Sequence, residues 1–220
     1  MIIEIPKGYT YMKEGNIIAF EENGILKMQR RHGKFDEIMY DVTYQQKGRD
    51  KCYYCGRNRN ENQLLKITLD HIYPRSLGGP TIPPNLIPAC RKCNSLKENM
   101  TPEQFRAYRK IKGEQQKDLF RKEYFRTKYF QERWVHILPE EWISQTTISD
   151  LLVSIDLHDT STIKYKRIKE YYARCQQFPS PIIIDCHGFV LDGFTIVLYA
   201  KNNRIKEIPT IVLENVEVIF

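Results

Sequence analysis

Among its 220 residues the chain has no uninterrupted run of eighteen apolar residues, so the sequence holds no candidate membrane span. Its first residues, Met1-Ile2-Ile3-Glu4-Ile5-Pro6, lack the basic segment followed by a longer apolar one that marks a secretory signal. Cysteine is sparse at six, and four of the six fall in two close pairs, which suits metal ligation in a reducing compartment better than a disulfide framework. The cytosol is the expected location. At this length the chain can hold one large domain or two small ones.

Charge is modestly positive overall, at +7, but it is unevenly placed. Residues 1–50 and 134–220 are balanced or slightly acidic, whereas residues 51–133 carry 18 basic against 8 acidic side chains. A cationic excess confined to one segment is the footprint of a polyanion-binding surface, although a basic run by itself also describes a solvated helix face.

That same segment holds the chemistry. Cys52 and Cys55 form one Cys-x-x-Cys pair and Cys90 and Cys93 a second, with 34 residues between them. Each pair can present two thiolates from a tight turn, and two such turns together give the four-sulfur tetrahedron of structural zinc. The insert is longer than that of a short zinc ribbon. Buried thiols or a redox pair are the alternative for the four sulfurs.

Within the insert, Leu64-Leu65-Lys66-Ile67-Thr68-Leu69 reads as a short strand that delivers Asp70 and His71 at its end. Neighbours on a strand point to opposite faces, so one can face a metal while the other faces a substrate. A carboxylate suits magnesium or manganese, and a neutral imidazole can take a proton from water near pH 7. Asn94, directly after the last cysteine, is a second candidate oxygen ligand and is expected to open a helix. Arg75, Arg91, Lys92 and Lys97 are placed to hold phosphates.

The order Asp70-His71-Ile72-Tyr73-Pro74, Ser76-Leu77-Gly78-Gly79, Asn85-Leu86-Ile87 and Cys90-Arg91-Lys92-Cys93-Asn94 with Lys97 resembles the HNH endonucleases with a four-cysteine zinc site, the ββα-metal nucleases. The resemblance covers about residues 51–105. It implies that His71 is the general base, that Asp70 and Asn94 bind the catalytic divalent ion, and that Asn85 braces the loop carrying the histidine. The third position of the family motif is often His and here is Asn94, as in its HNN subgroup. The implied activity is hydrolysis of DNA to 5′-phosphate and 3′-hydroxyl ends.

Residues 1–50 alternate around Ile2 to Ile5 and Asn16 to Phe20, with breaks at Gly8, Gly15, Gly24 and Gly33, and are expected to form short strands. They are expected to pack beside the nuclease or help grip DNA, and His32, among Arg30, Arg31 and Lys34, reads as solvated. Thr101-Pro102-Glu103 is a helix start, and a second helix is expected over Glu114–Trp134 with Leu119, Phe120, Tyr124 and Phe125 inward. Val135 to Pro139 reads as a strand.

The last third gives a helix over Thr162–Gln177, a buried strand Pro181–Asp185, the pair Asp192-Gly193, a helix through Tyr199 and a strand Ile208–Val212. From about Pro181 to Val212 this order resembles the ParB/sulfiredoxin-like domain. That family commonly follows its Asp-Gly with His and Arg; Phe194, Thr195 and Ile196 stand here, so nucleotide binding is not expected, because phosphate charge would go uncompensated. A scaffold, a specificity module or a homodimer surface is expected instead. Cys175, Cys186, His158 and His187 lack ligand spacing and read as structural or incidental, with Cys186-His187 at most a weak site.

The expectation is therefore an α+β protein: a short β-rich segment over 1–50, a zinc-bound ββα-metal HNH core with a basic helical extension over 51–133, and a C-terminal α/β ParB/sulfiredoxin-like domain over 134–220. The alternatives in function are a catalytically inactive zinc-dependent DNA-binding regulator and a nucleotide-dependent switch.

Overall fold

The computed structural model describes residues 1–29, 34–60, 63–131, 134–153 and 161–219, of which 124–131 and 136 by backbone alone. His32 and His158 lie outside the described residues. The architecture is mixed α+β.

Three strands open the chain, β1 (Thr10–Lys13), β2 (Asn16–Glu22) and β3 (Ile25–Gln29), paired antiparallel in that order. Their turns, Glu14-Gly15 and Asn23-Gly24, have positive φ at both residues, the backbone that tight hairpins need. Ile2 to Ile5, expected as a strand, is irregular, although Ile3 is buried. The helix α1 (Phe35–Lys47) follows, where only strands were expected. Phe35, Ile38, Met39, Val42 and Thr43 are its buried side, a spacing of three and four that makes one apolar stripe.

Next come β4 (Ile67–His71) and β5 (Leu86–Cys90), an antiparallel pair in which Asp70 faces Ile87 and His71 faces Leu86 across the ladder. The helix α2 (Arg91–Lys97) leaves β5 directly and packs on both strands. It starts three residues before Asn94, the expected opening, because Cys90 is the cap: its sulfur accepts from the Cys93 N–H, so the second knuckle is the helix's first turn. Then α3 (Pro102–Lys110) begins with the expected Thr101 cap, completed by Gln104 as a capping box. In α4 (Glu114–Gln131) Leu119 is 60% exposed rather than inward. The stretch expected as a strand at Val135 is instead a helical turn, α5 (Trp134–Ile137), drawn inward by Trp134, whose indole N–H donates to the Phe178 carbonyl.

The remaining elements are β6 (Ser144–Thr147), α6 (Thr162–Cys175), β7 (Ile182–Asp185), β8 (Val190–Asp192), α7 (Phe194–Asn202), β9 (Glu207–Leu213) and β10 (Val216–Ile219). Four of the strands form a sheet in the order β6-β9-β7-β8, with β7 and β9 parallel. The tenth strand crosses to the first sheet and runs parallel to β3.

The isoleucine run of β7 shows why this sheet is apolar on both faces. Ile182 and Ile184 pack with α6 and α7, whereas Ile183 joins the core made by Ile3, Leu26, Ile38 and Met39. Along β9, Ile208 and Val212 share the first side, and Ile211 and Leu213 the second. Alternation along a strand buried on both sides therefore links the two ends of the sequence through one core. No helix among the described residues is long and apolar enough to cross a membrane.

Candidate functional site

The first knuckle is a tight turn closed by the Gly56 N–H donating to the Cys52 carbonyl, and the Tyr53 N–H donates to Pro88 and fixes that turn on β5. The second knuckle straddles the junction of β5 and α2. As a result the sulfurs of Cys52, Cys55, Cys90 and Cys93 all lie within 4.8 Å of one another, with Cys55 and Cys90 at 3.9 Å. A disulfide needs about 2.05 Å. A tetrahedron with metal–sulfur bonds of about 2.3 Å has edges of about 3.8 Å, so the spacing fits a thiolate-bound ion of the zinc class.

Electrostatics favour a cation there as well. Burial pushes the Cys52 and Cys93 thiols up, so a cluster of thiolates needs a compensating charge. Burial also opposes the Cys55 thiolate, but hydrogen bonds led by that from the Arg57 side chain outweigh it and bring the thiol down to about 6. Arg57 Nε lies 3.3 Å from the Cys55 sulfur and Nη2 3.7 Å from that of Cys90. The knuckle sequence gave no sign of this contact.

At the end of β4 the two neighbours diverge, as strand geometry requires. Asp70, 5% exposed, faces α2. Its Oδ2 accepts from the Tyr54 hydroxyl at 2.6 Å and lies 3.1 Å from Lys97 Nζ. Lys97 is fully buried, not a surface cation, and its ammonium also donates to the His71 carbonyl at 2.7 Å. Burial pushes the Asp70 carboxyl up and the Lys97 ammonium down, while the charge of each supports the other. One turn earlier on α2, Asn94 Nδ2 donates to Thr68 Oγ1 at 3.0 Å and to the Leu69 carbonyl at 3.3 Å. Asn94 and Lys97 thus face the same end of β4.

His71 lies on the other face, with Nε2 3.1 Å from Thr81 Oγ1 and the Tyr40 ring edge-on at 6.2 Å. Burial, reinforced by the Arg75 charge, drives its pKa down to about 4, so the ring is neutral near pH 7.

The loop between His71 and β5 is clamped by Asn85. This buried carboxamide accepts from the Tyr73 N–H at 2.8 Å and donates to the carbonyls of Tyr73 and Pro80. Gly79 fits inside that clamp because it has no side chain: a Cβ there would meet the Tyr73 carbonyl oxygen at 1.9 Å. From outside, α1 holds the same region. Lys47 Nζ donates to the Pro83 and Leu86 carbonyls at 2.6 Å, and Asp36 pairs with Arg75 at 2.8 Å.

Of the basic residues singled out in the sequence, Arg91 and Lys92 are exposed on the first turn of α2, and Arg75 is about half exposed within its ion pair. Tyr54, Thr81, Asp36 and Tyr40 are parts of the site that sequence reasoning did not find. None has a spacing signal, and Asp36 and Tyr40 arrive from another segment of the chain.

No curated protein and no solved structure matches the chain. Residues 52–108, from Cys52 of the first knuckle to the buried Tyr108 of α3, match the family model described as HNH endonuclease, so this segment is similar to nuclease domains of the HNH type.

Proposed function

We propose that the protein is a metal-dependent endonuclease of the HNH type that hydrolyses DNA phosphodiester bonds, leaving 5′-phosphate and 3′-hydroxyl ends. The observation that carries this reading is a neutral, half-buried His71 that follows Asp70 at the end of β4, where the loop braced by Asn85 begins, inside the segment that matches the family. His71 accepts a proton from the attacking water, which its low pKa permits at neutral pH. Arg91 and Lys92 hold flanking phosphates. Zinc on Cys52, Cys55, Cys90 and Cys93 is structural: it joins the first knuckle to α2 and so keeps β4 and α2 in register.

Asp70 and Asn94 would hold the catalytic ion, Mg²⁺ or Mn²⁺. Both offer hard oxygen, and a carboxylate with about four lone-pair positions keeps room beside Tyr54 and Lys97. When bound, that ion supplies positive charge for the phosphate and the leaving oxygen. Lys97 opposes a second cation at the same carboxylate, so the ion is expected to bind weakly until a substrate phosphate adds its charge.

The test is supercoiled plasmid incubated with the protein in Mg²⁺, Mn²⁺ or EDTA, beside the His71→Ala form. Divalent-dependent cleavage, reduced about 10²-fold or more in the variant with DNA binding retained, is expected. Equal cleavage by both forms would remove His71 as the base.

A second reading is a zinc-dependent DNA-binding regulator without catalysis, and the Lys97–Asp70 pair favours it, because a carboxylate so engaged can be purely structural. DNA binding with no cleavage in any ion would select it. For the last third, the resemblance to the ParB/sulfiredoxin-like domain rests on the order of β7, Asp192-Gly193, α7 and β9 alone. We read this unit as a scaffold and not as a nucleotide switch; absence of CTP and ATP binding in an equilibrium titration is the expected result.

A further inference from the structure

A second group of ligand-bearing side chains lies far along the chain from the cysteine knuckles. Cys186 and His187 occupy the turn between β7 and β8, and Glu217 lies on β10, in the other sheet. One ligand atom from each, a thiol, an imidazole nitrogen and a carboxylate oxygen, lies within 4.8 Å of the other two. His187 Nε2 and Glu217 Oε1 are 3.8 Å apart.

An exposed Cys-His turn is ordinarily just solvated, and what sets this one apart is how firmly it is held. Asp185, fully buried, accepts from the backbone N–H groups of His187 at 2.9 Å, Phe189 at 2.8 Å and Val218 at 2.9 Å. The last of these bonds fastens the turn to the strand that carries Glu217. Gly188, at φ +87°, sits where a Cβ would meet the Asp150 carbonyl oxygen at 2.8 Å, so the turn is also pressed against the chain before α6. The Cys186 N–H donates to the Val216 carbonyl at 3.4 Å.

The carboxylate is fixed in turn. Glu217 pairs through Oε2 with Lys27 on β3, which leaves Oε1 toward His187. A ligating carboxylate held through its second oxygen is the ordinary arrangement around protein-bound metals. For bonds of about 2.0–2.3 Å, the edges of a tetrahedral site run to about 3.3–3.6 Å, and the observed 3.8 Å requires only a small side-chain rotation.

We propose that Cys186, His187 and Glu217 form a second metal site, which takes a divalent ion of the zinc class. A thiolate, an imidazole and a carboxylate are a mixed set that zinc accepts and magnesium does not favour. Binding releases the thiol proton to solvent. Cys186 and His187 are exposed, so the ion enters from solvent, and water completes the fourth position. Because the ligands come from β10 and from the β7–β8 turn, the ion ties together the two sheets that share the core. This site is independent of the nuclease reading.

The full chain, desalted with its tightly held ion in place, is dialysed against excess ZnCl₂, and zinc per chain is measured before and after by mass spectrometry. The expected increment is one ion for the wild type and none for His187→Ala or Cys186→Ser; both positions are exposed, and circular dichroism confirms that the variants fold. The added ion should also raise the melting midpoint of the wild type alone. No increment in the wild type, or an undiminished increment in His187→Ala, would overturn the proposal.

Discussion

Replacing Lys97 by Met tests the geometry of the site at its least expected point. Lysine is rarely fully buried unless paired, and Lys97 is fully buried with its ammonium 3.1 Å from a carboxylate that is itself 5% exposed. Methionine fills much the same volume, so the packing loss is small and the electrostatic loss dominates. Removing one partner of a buried pair costs about 3–5 kcal/mol, because the other charge stays desolvated and unpaired. The bond to the His71 carbonyl is lost as well. Domains are stable by about 5–15 kcal/mol, so the change is a large share of the total, and at about 2–4 °C per kcal/mol it lowers the melting midpoint by about 10 °C. The assay is urea and thermal unfolding of the zinc-loaded protein, with Asp70→Asn and the double variant completing a cycle. The double variant should regain a substantial part of the loss, since it leaves no unpaired charge. A cost below about 1 kcal/mol for Lys97→Met, or strict additivity in the cycle, would refute the buried pair.

Acidification gives a second prediction. His71 titrates near 6.5 when unfolded and about 4 when folded, so the unfolded chain binds the proton first and stability is lost as pH falls from 6.5 towards 4, by about 3 kcal/mol in all. A His71→Asn form should lack that component, seen as a pH-dependent difference between the two unfolding curves from which the contribution of the cysteine centre cancels. Asn85→Ala strands the Tyr73 N–H and the carbonyls of Tyr73 and Pro80, and should cost about 2–4 kcal/mol in chemical denaturation and lower cleavage along with it. Cys90→Ser should abolish the tightly bound ion and leave residues 51–100 open to limited proteolysis, while wild type retains one ion through gel filtration.

The parts of the site that were legible in the sequence are those whose chemistry is carried by residue identity at short spacing. The two Cys-x-x-Cys pairs and the Asp70-His71 step at a strand end are of this kind, whereas the Asn85 brace came from the family resemblance; the structure brings the four sulfurs together and seats Asn85 as a clamp. Lys97 was misread because a lysine in a basic segment gives no hint that its partner lies 27 residues away across a strand–helix packing. Leu119 shows the reverse error, an apolar letter at helical spacing left in solvent. The stripe of α1 was present in the letters, but the neighbouring glycines and short alternating stretches suggested strands.

From its letters alone, this chain determined the chemistry at hand: four soft ligands in two turns, a histidine beside a carboxylate, and cations gathered in the same third. Those are properties of side chains and of nearest neighbours, which no packing can alter. Only the tertiary structure decided that α1 would close over the His71 loop, that Lys97 would meet Asp70 in the interior, and that β10 would run beside β3. Each of these joins residues far apart in sequence, and burial of the shared apolar faces, together with the pairing of Lys97 with Asp70, sets the arrangement.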